Sequence, residues 1–262
     1  MKLVKEKNIF MRLKNKVAIV TGAGAGMGRS VAIRYAKEGA KVVVAELNDD
    51  AGNETLSLIK KGGGDAIFVS TNVADEMLVI QLVNTTVAKY TRVDILYNNV
   101  AVMHPKDARV HELSAEVFHH LVNVNFNSAF YCAKYVIGAM LKTGGGSIIM
   151  VGSPTAVIGC APQISGYSIS KAGVHSLARV IAAGYGKDNI RANTIIPGTM
   201  NTPMNEELLS DKKTVKEFEN AAMLGRLGTS SDVDGLAVFL ASEESSYCTA
   251  TEFVADGGLM MK

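Results

Sequence analysis

The stretch VAIVTGAGAGMG occupies positions 17–28. Its opening run, VAIVTG, is apolar and β-branched and stops at a glycine, the composition of a short strand buried on both faces. MGRSVAIRYAKEGA follows with helical spacing: Val31, Ile33, Tyr35 and Ala36 are apolar, and Gly39 lies near the stop. A strand, a glycine turn and a helix in immediate succession make a setting that can cradle phosphate. Small residues let the backbone approach an anion, and a helix N-terminus favours negative charge. The GxGxxG pattern does not fit in register. Counted from Gly22 it puts Met27 where the last glycine belongs, and counted from Gly24 it puts Arg29 there. A glycine-rich turn alone also fits tight packing, but its place directly after the first strand favours the cradle.

The alternation continues along the chain. KVVVAEL (41–47) reads as a strand, 49–61 as a helix, AIFVS (66–70) as a strand, 75–90 as a helix and VDILYNN (93–99) as a strand. Residues 115–141 read as one long helical stretch, and SIIMVGS (147–153) as a strand. A helix carrying GYSISKAGVHSL (166–177) follows, and IRANTIIPG (190–198) and TEFVADGG (251–258) are the sixth and seventh strands. Apolar strands alternating with helices predict an α/β fold: one doubly wound Rossmann-type domain, a parallel seven-stranded sheet with helices on both faces. No linker breaks the pattern, so residues 13–262 are expected to form a single domain after an N-terminal extension, 1–12. Residues 199–228 are polar and show no strand signal. They leave the carboxyl end of the sixth strand, the side on which such sheets bind ligands, and are expected to be an insertion that forms a lid or substrate wall.

Composition narrows the function classes. The chain has 27 basic and 25 acidic residues, a balance that offers no attraction to nucleic acid or an anionic membrane. No apolar run approaches the ~20 residues of a membrane helix, and the basic start lacks the apolar core of a signal peptide. A cytoplasmic location is expected. Cys132, Cys160 and Cys248 are far apart and form no CxxC, so neither a disulfide framework nor a zinc site is expected. His119 and His120 are adjacent and diverge around a helix, and His104 and His111 lack an acidic partner at ligand spacing, so no metal site is expected. Met200, Met204 and Met223 border the insertion and suit either an adaptable apolar pocket or ordinary packing.

Two further features carry chemistry. Glu46 ends the second strand, where an acid can accept hydrogen bonds from a ribose and repel a 2′-phosphate. No base follows it in LNDD and Ala25 adds no charge in the turn, so the expected cofactor is NAD rather than NADP. Tyr167 and Lys171 stand four apart, on one helix face. An ammonium beside a phenol favours the phenolate and makes a usable general acid/base, although the pair alone fits an exposed helix with two unrelated side chains better.

Taken in order, TGAGAGMG, NNVA, Ser153 after a strand and YSISK resemble the classical short-chain dehydrogenase/reductase family, with its TGxxxGxG, NNAG, strand-end serine and YxxxK. Gly22, Gly26 and Gly28 fit the first motif where GxGxxG failed. IIPGTMNTPM and VADGG resemble the family's later segments, so the resemblance covers roughly residues 13–258. It implies a catalytic tetrad: Tyr167 as proton donor or acceptor, Lys171 lowering its pKa and holding the nicotinamide ribose, Ser153 bonding the substrate oxygen, and Asn125 serving a proton-relay water. Asn125 is preferred to Asn123 because the family pattern has a phenylalanine seven residues earlier, here Phe118. For the cofactor it implies Gly22, Gly26, Met27, Gly28 and Glu46, then Asn72 and Val73 near the adenine. Asn98, Asn99, Val100 and Ala101 would lie along the adenosine side, with Pro197, Gly198 and Thr202 at the nicotinamide end. NNVA departs from NNAG, so Ala101 adds a methyl near the cofactor path, and Pro154 after Ser153 removes a backbone donor. His175 is expected at a subunit contact of a homotetramer.

The implied function is hydride transfer between NAD(H) and a secondary alcohol or ketone, with a pocket built from 154–162, His104 and 201–224. The alternatives are a ketoacyl-thioester reductase of lipid synthesis and a non-catalytic NAD-binding scaffold.

Overall fold

The computed structural model describes residues 11–261. Strands β1 (Val17–Thr21), β2 (Lys41–Glu46), β3 (Ala66–Ser70), β4 (Ile95–Asn98), β5 (Gly146–Val151) and β6 (Ile190–Pro197) alternate with helices. The helices are α1 (Gly26–Lys37), α2 (Asp49–Lys61), α3 (Glu76–Tyr90), α4 (Ala115–Val122), α5 (Ser128–Met140) and α6 (Ser165–Tyr185). Beyond β6 lie β7 (Met200–Asn201), α7 (Lys212–Ala221), β8 (Gly228–Thr229), α8 (Asp234–Ala241) and β9 (Glu252–Ala255). The main sheet has the order β3-β2-β1-β4-β5-β6-β9, and all its pairings are parallel. It is a doubly wound α/β fold. β1, β4, β5 and β6 are buried almost throughout because helices cover both faces. One core lies under α3, α5 and α6, and the other under α1 and α8.

The strand order reverses between β1 and β4, and a ligand crevice opens beyond the carboxyl ends at such a switch point. Register sets what collects there. Val20 pairs with Tyr97, Tyr97 with Ile149 and Met150 with Thr194, so the turns after β1, β4, β5 and β6 open along one edge.

Several expectations change. The 115–141 stretch is not one α-helix: a π-helical turn, Asn123–Asn127, separates α4 from α5. The insertion carries short strands although it shows no strand signal. It holds α7, started by Asp211 accepting from the Thr214 amide at 2.9 Å, and β7 pairs with β8 in a second, two-stranded sheet. Two-residue strands are too short for a periodic signal. α8 supplies a covering helix before β9 that was not anticipated. Of the expected extension, residues 1–10 lie outside the described residues. Arg12 belongs to the folded body, its guanidinium 2.8 Å from Glu38.

Candidate active site

The glycine turn is shaped for close approach. Gly22 and Gly26 have φ of +61° and +53°, where a side chain would strain the backbone. A Cβ on Gly28 would lie 2.1 Å from the Gly22 carbonyl oxygen. The turn opens into α1, whose first residues lack both a capping side chain and an acid. α2 and α3, by contrast, are capped by Asn48 and Asp75. The amides at the start of α1 are therefore free to meet an anion, and the cradle fits a dinucleotide pyrophosphate.

Asn99 braces this turn from the residue after β4. Its amide N–H groups donate to the Thr21 and Gly22 carbonyls at 3.2 and 3.3 Å, and its backbone N–H to the Thr21 hydroxyl at 3.0 Å. Asn98 is buried and donates to the Ala129 carbonyl at 2.9 Å. Glu46 lies against the turn from β2. One carboxylate oxygen accepts from the Gly24 amide at 2.9 Å, the other from Leu47 and Asn48 at 2.9 and 3.1 Å. Gly24 must be glycine for this, since a Cβ there would come within 2.7 Å of Glu46 Cγ.

Beyond β5, Ser153 Oγ stands 3.0 Å from Thr155 Oγ1 and accepts from the Thr155 amide at 3.3 Å, capping the short turn Pro154–Ala156. Tyr167 and Lys171 face it from α6, and both are buried. Burial pushes the Tyr167 phenol above its ordinary pKa, while its hydrogen bond with Ser153 pulls it back. Lys171 Nζ donates to the Val151 carbonyl at 2.7 Å and lies 6.0 Å from the centre of the Tyr167 ring. Burial brings its pKa down to about 8. Here the ammonium bonds a backbone carbonyl, and burial is the larger influence on Tyr167. Asn125 is fully buried in the π-helical turn. Its Oδ1 accepts from the Val102 amide at 2.8 Å, and its Nδ2 donates to the Val102 carbonyl at 3.0 Å and to Ser170 Oγ at 3.1 Å. Ser170 in turn donates to the Tyr167 carbonyl at 2.7 Å. Asn123 points away, exposed and bonded to Asn127.

The family profile described as enoyl-(acyl carrier protein) reductase matches residues 22–260. The chain is a classical short-chain dehydrogenase/reductase. It is 37% identical over 257 residues to an uncharacterized oxidoreductase of Bacillus subtilis (strain 168), covering 95% of this chain and 92% of that protein. It is 33% identical over 262 residues to a cyclohexanol dehydrogenase of Acinetobacter sp. (strain SE19), covering 98% of this chain and all of the relative. Its fold superposes at a TM-score of 0.91 on a gluconate 5-dehydrogenase from Burkholderia cenocepacia J2315 in complex with NADP and tartrate. That pair is 27% identical and covers 97% of this chain and 98% of the other. The short-chain dehydrogenase/reductases are oxidoreductases that bind nicotinamide cofactors.

In this short-chain dehydrogenase/reductase the remaining expected contacts divide by depth. Val73 is buried in the core, so only its backbone can face the crevice, and Asn72 caps the following turn by accepting from the Ala74 amide at 3.1 Å. Val100 Cγ2 lies 3.1 Å from where a Gly22 Cβ would stand, and Thr202 Cβ 3.5 Å from where a Gly26 Cβ would stand. Ala101, Met27 and Gly198 are half-buried along the same edge, and Pro197 is buried. A cavity of about 450 Å³ adjoins Thr155, Pro162, Ser165 and Ile169, with Arg109 and His111 across from them. This cavity includes 109–111, a segment outside the expected pocket outline, and none of Ser153, Tyr167 and Lys171 lines it. A smaller cavity of about 190 Å³ lies under the insertion, between Met200, Leu224 and Asp256.

Two residues were missed or misplaced. Asp107 accepts from the Gly166 and Tyr167 amides at 3.0 and 2.9 Å, so a loop carboxylate caps the helix that carries the tyrosine. Nothing local marks it, because its partners are about 60 residues away. His175 is not at a surface contact. It is 3% exposed, bonded to Ser153 and Glu252 within the chain. Its place eight residues after Tyr167 put it on the inward face of α6.

Proposed function

We propose that this enzyme transfers a hydride between NAD(H) and a secondary alcohol or its ketone, with Tyr167 as the general acid/base. The observation that carries the reading is the convergence of Ser153, Tyr167 and Lys171 at the crevice edge, with Asn125 tied through Ser170 to the Tyr167 backbone. The nicotinamide cofactor, when bound, gives or takes the hydride. Ser153 holds the substrate oxygen, and Tyr167 gives it a proton in reduction or removes one in oxidation. Lys171 would hold the nicotinamide ribose.

NAD is proposed over NADP because the Glu46 carboxylate lies against the turn where a 2′-phosphate would have to sit. The NADP of the gluconate 5-dehydrogenase complex belongs to that relative. Residues 13–262 are proposed to act as one catalytic domain. The enzyme is proposed to be a cytoplasmic homotetramer: Phe130 of α5 and Ile169 and Val180 of α6 are apolar and exposed, as a subunit contact requires. No helix among the described residues is long and apolar enough to cross a membrane.

NADH formation from a panel of secondary alcohols, run beside Tyr167→Phe, tests the reading. Turnover in the wild type should fall at least about 1,000-fold in the variant, with NADH affinity retained. Equal turnover in the two proteins would remove Tyr167 from the reaction. Bound NADH without turnover on any substrate would favour the scaffold. Faster turnover of a ketoacyl thioester with NADPH would favour the ketoacyl-thioester reductase of lipid synthesis.

A further inference from the structure

His175 Nε2 lies 3.1 Å from the Ser153 backbone nitrogen. A backbone N–H only donates, so Nε2 must be the bare, accepting nitrogen. The ring proton is then on Nδ1, which faces Glu252 Oε1 at 3.1 Å. Arg179 Nη1 holds the same carboxylate oxygen at 2.6 Å. Gly152 makes room for this arrangement, since a Cβ there would come within 2.1 Å of Nε2. His175 is one α6 turn beyond Lys171 and two beyond Tyr167. The same rigid helix thus presents the tyrosine and lysine and grips the residue that carries the serine hydroxyl.

We propose that neutral His175 is a positioning residue that clamps the Ser153 amide and so fixes Ser153 Oγ beside Tyr167, and that protonation of its ring opens the clamp. A charged imidazolium carries N–H on both nitrogens. Its Nε2–H would face the Ser153 N–H, donor against donor, and the contact could not persist.

The charged groups facing the ring are Glu252 from β9 and Lys171 and Arg179 from α6 itself. Gly152 and Ser153 at the end of β5, and Thr194 of β6, bring no charge. Burial, Lys171 and Arg179 oppose protonation and outweigh Glu252, so the ring titrates below its ordinary pKa. The clamp is therefore closed while the ring is neutral and opens on acidification.

The kinetic arm of the test rests on the hydride-transfer reading, while the spectroscopic arm does not. Histidine-labelled full-length enzyme should show the Nδ1–H tautomer of His175 by nitrogen-15 NMR. The Ser153 amide resonance should move with the His175 titration in the wild type and stay still in His175→Gln, which offers an accepting oxygen that does not titrate. In alcohol oxidation, His175→Gln should keep kcat within about threefold and lose the acid limb that His175 imposes. His175→Leu should lose at least about tenfold in kcat with NADH affinity unchanged.

An Nε2–H tautomer, a Ser153 amide indifferent to the titration, or an acid limb that survives in His175→Gln at the pH of the wild-type His175 titration would each overturn the proposal, whereas a limb set by Tyr167 belongs to both proteins. If His175→Leu does not fold, wild-type NMR and His175→Gln still decide. If the wild type turns over no alcohol, the hydride-transfer reading fails, and the NMR titration still confirms or refutes the clamp.

Discussion

The Lys171 ammonium is buried and bonds the Val151 carbonyl at 2.7 Å. Burial penalises its charged form, which lowers its pKa from 10.5 to about 8. Between these values the unfolded chain holds a proton that the folded chain has released, so this group makes stability rise with pH across pH 8 to 10.5. The span corresponds to at most about 3 kcal/mol. Lys171→Met should lose at least about 100-fold in turnover. Denaturant unfolding should show wild-type stability gaining on the variant from pH 8 upward, and a gap constant in pH would refute the assignment. Glu46 is a second residue whose charge is separable from its geometry. Glu46→Gln retains an acceptor for a turn amide and loses the negative charge. The ratio of KM for NADPH to KM for NADH should fall at least about tenfold, and an unchanged ratio would place cofactor choice elsewhere.

α6 is an element whose start is defined by a residue outside it. Its own N-cap position, Ile164, offers no capping side chain, and Asp107 supplies both acceptor oxygens from the loop after β4. Asp107→Ala should reduce stability by about 1–2 kcal/mol in urea unfolding. Because one lost bond is to the Tyr167 amide itself, kcat should fall with it, and Asp107→Asn should restore part of both. Loss of stability with kcat intact would make Asp107 structural only. The π-helical turn between α4 and α5 is the second such element. Asn125 bonds Val102 on both sides of its amide and reaches Ser170, and Asn123 stays outside. π-turns of this kind recur at functional sites.

The whole molecule converges its loops on one edge of the sheet, so a ligand bound there should stabilise the entire fold by mass action. NADH at about 100 times its Kd should add about 2.7 kcal/mol and raise Tm on the order of 5–10 °C by thermal unfolding. Gly28→Ala should abolish the shift, because its Cβ would press on the Gly22 carbonyl, 2.1 Å away, and deform the cradle. A normal shift in the variant would mean that the cofactor binds elsewhere.

Much of the fold was legible in local pattern. VAIVTG, KVVVAEL and IRANTIIPG carry the apolar runs of buried strands, and the helices between them carry their own period, so the doubly wound sheet follows from neighbouring residues alone. The candidate site came by a different route: TGAGAGMG, Ser153 after a strand and YSISK, in that order, resemble the family, and the resemblance implied the tetrad. Tertiary structure decided what depends on distant partners. Asp107 caps α6 across about 60 residues, Gly24 yields space to Glu46, and His175 turns from an expected surface contact into the buried partner of Ser153. β7 and β8 are too short to carry a period and exist only as a pair. Periodicity records which face a residue presents, whereas hydrogen-bond partners, burial and the pKa values they set arise only when the chain closes on itself.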